Sequence, residues 1–120
     1  MKFTCPCCGR KTFEGGPGSG FICPVCYWGD EIVQLRWPLL DGCANKVSLV
    51  CAQGNFISFG ASDVRFLEVV SRGGASWDLD DSWRPIDFSV DNFENTLEES
   101  SEWPRDMTVL YWWTDFYWRL

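Results

Sequence analysis

Cys5-Pro6-Cys7-Cys8-Gly9 and Cys23-Pro24-Val25-Cys26 decide how this chain folds, because each turn presents two thiols three positions apart. That spacing lets both sulfurs, with nearby backbone N–H groups, converge on one ion. Two such turns complete a tetrahedral all-thiolate zinc site. Cys5, Cys8, Cys23 and Cys26 are the expected ligands of a single structural Zn2+. The 14 residues between the turns include Gly15, Gly16, Gly18 and Gly20. They give slack for a short hairpin that folds the second turn over the first. A closed four-thiolate site leaves no position for water, so the metal would act structurally, contributing about 10 to 16 kcal/mol as in small zinc peptides. Four thiolates suit iron as well as zinc.

The competing reading of these cysteines is a disulfide framework. Seven cysteines is an odd number, and Met1-Lys2-Phe3-Thr4 runs straight into the first pair without a charged-then-apolar leader. Reduced thiols in the cytoplasm are therefore expected. A thioredoxin-type role needs one Cys-x-x-Cys opening a helix after a strand, whereas here the motif is doubled and glycine-linked. Cys7 is a spare thiol inside the first turn. Cys43 and Cys51 fall in an apolar-rich stretch, where free cysteine behaves as a small buried hydrophobe.

Charge is divided unevenly. Residues 1–63 carry five acidic and five basic side chains, so the first half is neutral. Residues 64–120 carry twelve carboxylates against five arginines, which places all seven excess negative charges there. Nucleic-acid binding draws affinity from basic groups that displace phosphate counterions, and this balance opposes it. No apolar run approaches membrane-spanning length. Histidine is absent, which removes the commonest general base and every Ser-His or Cys-His nucleophile pair, so no enzyme activity is expected.

The expected fold is α+β: a zinc-ribbon-like lobe with a helix over residues 1–65, carrying an acidic, aromatic-rich lobe over 66–120. Ser48 as N-cap, an apolar face of Leu49, Ala52, Phe56 and Phe59, and Gly60 as left-handed terminus predict a helix. Its apolar face is expected against Tyr27, Trp28 and Val33. Asp41-Gly42 marks a turn and Trp37-Pro38 an extended break. Further on, Gly73-Gly74 reads as a hinge. Asp91 and Glu94 form a capping box for a helix ending before Pro104, with Phe93 and Leu97 on one face. Met107–Trp118 is dense in β-formers and predicts one strand or two.

The ordered series Cys5-Pro6-Cys7-Cys8-Gly9, Ile22-Cys23-Pro24-Val25-Cys26-Tyr27-Trp28 with Asp30 and Glu31, Ala44-Asn45-Lys46-Val47-Ser48-Leu49, Asn55-Phe56 and Phe59-Gly60-Ala61-Ser62-Asp63 resembles the bacterial cysteine-rich CPCC family over roughly residues 4–65. The resemblance implies a small bacterial zinc-binding domain and does not by itself assign a biochemical role. Cys43 and Cys51 depart from the pattern, standing where a small residue and a polar helix residue are expected. The acidic half extends beyond it.

In that half, Trp77-Asp78-Leu79-Asp80-Asp81-Ser82-Trp83 alternates rings or apolar groups with carboxylates. Trp112, Trp113 and Trp118 can fill a core. Trp77, Asp78, Asp80, Asp81, Trp83, Glu98, Glu99 and Trp103 instead suggest a face for a basic protein partner, with rings supplying burial and charge speeding encounter. Small acidic bacterial proteins of this kind include immunity proteins and antitoxins, which cover basic toxin domains. The alternatives are a structural adaptor module, a nucleic-acid-binding ribbon or a thiol-redox protein.

Overall fold

The computed structural model describes residues 2–70, 77–94 and 102–119. Short elements hang on the two cysteine turns. β1 (Phe3–Thr4) enters the first turn and β2 (Lys11–Phe13) leaves it, paired antiparallel with Phe3 opposite Phe13 and an irregular step before Thr4. The second turn is flanked in the same way by a bridge between Ile22 and Gly29. Each turn closes with a matching bond, Gly9 N–H to the Cys5 carbonyl and Tyr27 N–H to the Cys23 carbonyl, at 2.9 and 2.8 Å. The residue after the second cysteine is left-handed in both cases: Gly9 at φ 81° and Tyr27 at φ 67°. Glycine adopts that region without cost, whereas tyrosine there is strained.

α1 (Ile32–Arg36) follows, with the Glu31 side chain accepting from Gln34 N–H at 2.6 Å. Trp37-Pro38 ends it. Gln34 is fully buried and fastens the turn over residues 40–47. Its amide nitrogen donates to the carbonyls of Leu40, Asn45 and Val47, and its oxygen accepts from the backbone and side chain of Asn45. Gly42, at φ 69°, supplies the expected turn. α2 (Leu49–Phe59) has the predicted ends. The Ser48 hydroxyl accepts from Cys51 N–H at 3.1 Å, and Gly60 stops the helix at φ 86°. Leu49 and Ala52 are buried, while Phe59 turns outward.

The core gathers the cysteine turns, Phe13, Val25, Trp28, Leu35, Leu49 and Ala52, and Leu110, Tyr111, Trp112 and Tyr117 join it from the far end of the chain. Among the described residues the architecture is a small α+β arrangement of two helices, a two-stranded sheet and single 3-10 turns.

Four expectations are corrected. Met107–Trp118 is not a strand: Asp106 caps a 3-10 turn over Met107–Leu110, and successive turns follow to Trp118. Tyr111, Trp112 and Tyr117 pack inward on the core, Trp113 and Trp118 are half-buried and Phe116 is exposed, so most of these β-forming rings serve burial and not strand pairing. No helix begins at Asp91, whose carboxylate takes the Arg84 guanidinium at 2.6 and 2.8 Å and the Asp87 N–H. Glu94 pairs with Arg36 and Arg119 in place of closing a capping box. Cys43 and Cys51 are exposed, one on the 41–46 turn and the other on the outer side of α2, next to inward-facing Ala52. Leu97, Gly73 and Gly74 lie outside the described residues.

Candidate metal centre

β1, β2 and the Ile22–Gly29 bridge hold the two turns face to face. The sulfurs of Cys5, Cys8, Cys23 and Cys26 lie within 4.8 Å of one another. Cys5 Sγ is 3.6 Å from Cys26 Sγ, and Cys8 Sγ is 3.7 Å from Cys23 Sγ. A tetrahedral ion with sulfurs at about 2.3 Å requires about 3.8 Å between them, so the donor set fits a metal ion. All four residues are buried, at 0 to 3% exposure.

Their electrostatics agree. Burial, followed by the hydrogen bond with Cys23, pushes the Cys5 thiol well above the ordinary thiol range, and burial does the same to Cys26. Hydrogen bonds from Cys26, Cys5 and Cys8 pull Cys23 far down, with a smaller contribution from Thr12. A divalent cation compensates further deprotonation, and its binding releases protons.

The surrounding layer comes from both halves of the chain. Thr12, pointing inward from β2, donates its hydroxyl to Cys23 Sγ at 3.3 Å. Cys7, 1% exposed, faces the core beside the cluster and stands outside the group of four. The Pro6 carbonyl accepts two donors, Gln53 Nε2 at 2.9 Å and Trp83 Nε1 at 3.1 Å, and Gln53 Oε1 accepts from Ile86 N–H. The Trp83 ring lies directly over Gly9, where an added Cβ would meet Trp83 Cε3 at 2.5 Å. Asp30, 4% exposed, accepts the Ser19 N–H and hydroxyl and so anchors the glycine-rich connection between the turns.

Segment 77–83 runs along the outer side of β2. Lys11 N–H bonds the Asp78 carbonyl, Asp80 N–H bonds the Gly9 carbonyl, and Arg10 bridges Leu79. The expected prominence of Trp77 and Trp83 is therefore corrected, since both are half-buried against the core cluster. Asp80 is also turned to internal use, accepting from Thr4, Trp113 and Ser82 N–H. Asp78 and Asp81 remain exposed. Trp103, 38% exposed, packs its ring against Trp37 and Arg36. Glu98 and Glu99 lie outside the described residues.

Sequence reasoning missed Thr12 and Gln53, and it placed Asp80 on an outward face without its internal donors. Only Thr12 left a local signal, as a small hydroxyl four residues beyond Cys8 on the strand leaving the turn.

Paired Cys-Pro-x-Cys turns with four converging buried thiols define a small cysteine-rich protein equipped to hold one metal ion. A family model described as Cysteine-rich CPCC matches residues 3–75, and the chain belongs to that family. No curated protein matches the chain.

Proposed function

We propose that this is a non-enzymatic protein-interaction protein built on one structural Zn2+, held by Cys5, Cys8, Cys23 and Cys26. Its acidic second half binds a basic protein partner, in the manner of an immunity protein or antitoxin that neutralises a bacterial toxin. The observation that carries the zinc reading is the closed set of four buried sulfurs at tetrahedral spacing, which suits a structural ion and leaves no position for a reacting water. None of the seven cysteines is paired in a disulfide, which favours a reducing compartment such as the cytoplasm. Among the described residues no helix is long and apolar enough to cross a membrane.

Elemental analysis of the purified protein should return one equivalent of zinc, and a chelator should abolish the near-UV circular dichroism. A metal-free chain with its tertiary signal intact would overturn the assignment; bound iron would overturn zinc.

The partner reading is supported by the seven excess negative charges in residues 64–120 and by the outward carboxylates of Asp78, Asp81 and Asp115. Affinity capture should return one stoichiometric basic protein, released by salt and lost on Asp78→Lys with Asp81→Lys. Capture indifferent to both would sink it. A structural adaptor is the second reading, favoured by the uncharged stretch Val47–Ser62 with Ile57 70% exposed. It makes Ile57→Lys the disruptive change.

A further inference from the structure

A cavity of about 270 Å3 opens between segment 77–83 and the final aromatic turns, lined by Asp80, Ser82, Trp113, Thr114, Asp115 and Phe116. Two of its six lining residues are carboxylates, two are aromatic, two carry hydroxyls and none is basic. Asp80 is fixed by Thr4, Trp113 and Ser82, so this negative group is positioned in advance. Asp115 is exposed beside it, and Phe116 is 58% exposed, an open position for so apolar a ring. The volume falls below the roughly 300 Å3 at which small-molecule and cofactor sites begin, and suits one long side chain.

The same molecule shows what this combination holds. The Arg36 guanidinium sits 4.5, 4.5 and 4.7 Å from the ring centres of Trp37, Trp103 and Trp118, while Glu94 takes its Nε and Nη2 at 3.2 and 3.1 Å. Carboxylate on the edge and aromatic faces around the plane engage a guanidinium in both of its modes, hydrogen bonding and cation–π attraction. The 80–116 cavity offers these groups without a cation of its own among its lining.

We propose that this cavity receives the guanidinium of an arginine side chain presented by a protein partner. The inference rests on the partner reading above and gives it a specific contact. Lysine fits less well, because an ammonium is compact, strongly hydrated and unable to stack.

The test is a titration of N-acetyl-arginine amide into the metal-loaded full chain, following the Trp113 indole N–H resonance. A saturable shift is expected. The neutral isostere N-acetyl-citrulline amide should leave the resonance unmoved, and Asp115→Asn and Phe116→Ala should each weaken arginine binding by about threefold. Both positions are exposed, and unchanged metal content verifies that the variants fold. A shift that fails to saturate, an equal response to citrulline, or variants that bind as the parent does would overturn the proposal. Equal binding of N-acetyl-lysine amide would overturn the guanidinium assignment. A captured basic partner held equally by the Phe116→Ala protein would sink the cavity and leave the partner reading standing. Arginine binding with no basic partner captured would do the reverse.

Discussion

Replacing Gly9 by alanine probes the contact between the two halves of the chain. A Cβ at this position would lie 2.5 Å from Trp83 Cε3 and 2.6 Å from Cδ2, inside any tolerable contact with a rigid ring. Gly9 also sits at φ 81°, where a non-glycine residue costs about 1.5 kcal/mol. Pushing the indole aside breaks its bond to the Pro6 carbonyl, a further loss of about 1 kcal/mol. Forcing the ring off its rotamer adds about 0.5 to 1.5 kcal/mol. The sum is about 3 to 4 kcal/mol. For 120 residues with an unfolding entropy of about 2.1 cal/mol/K per residue, 3 kcal/mol lowers Tm by about 12 °C. Once Trp83→Ala has removed the ring, only the backbone strain of about 1.5 kcal/mol should remain. Urea unfolding of the four metal-loaded proteins, followed by far-UV circular dichroism, measures the cycle. Equal costs for Gly9→Ala with and without Trp83 would refute the clash and the seating of segment 77–83.

Thr12→Val should weaken metal retention about tenfold in chelator competition, because it deletes the hydroxyl that orients Cys23 Sγ; unchanged affinity would show that hydrogen bond to be idle. Gln34→Leu should destabilise by about 4 kcal/mol, since it strands buried carbonyls of the 40–47 turn, and a loss under 1 kcal/mol in urea melts would contradict the hub role. Burial pushes the phenols of Tyr111 and Tyr117 well above their usual range. The folded state thus favours neutral rings. That stability is fully present below the unfolded phenol pKa of about 10 and drains as pH rises towards the folded values. Tyrosinate absorbance of these two rings should therefore rise together with unfolding, and ionisation preceding it would refute their burial.

Features fixed by neighbours in sequence were legible. The thiol spacing located the cluster of four sulfurs, and Ser48 with Gly60 set both ends of α2, because capping is settled within a turn of chain. α1 was missed because its cap is Glu31, a residue type that seldom opens a helix. The C-terminal aromatics were misread for a different reason. Large β-forming residues look alike in sequence whether they pair in a sheet or plug a core, and only the partner surface distinguishes them. Trp83 looked like an exposed anchor because the glycine that accepts its ring lies far earlier in the chain. Asp80 carried the same ambiguity: its donors Thr4 and Trp113 come from opposite ends of the sequence.

The Pro6 carbonyl takes one donor from Gln53, inside the family-matched region, and one from Trp83, beyond it. The shield over the first cysteine turn is thus shared between family domain and extension. Cutting the chain after residue 75 would strip the indole from Gly9, the Ile86 N–H from Gln53, and Leu110, Tyr111, Trp112 and Tyr117 from the core, uncovering the first cysteine turn.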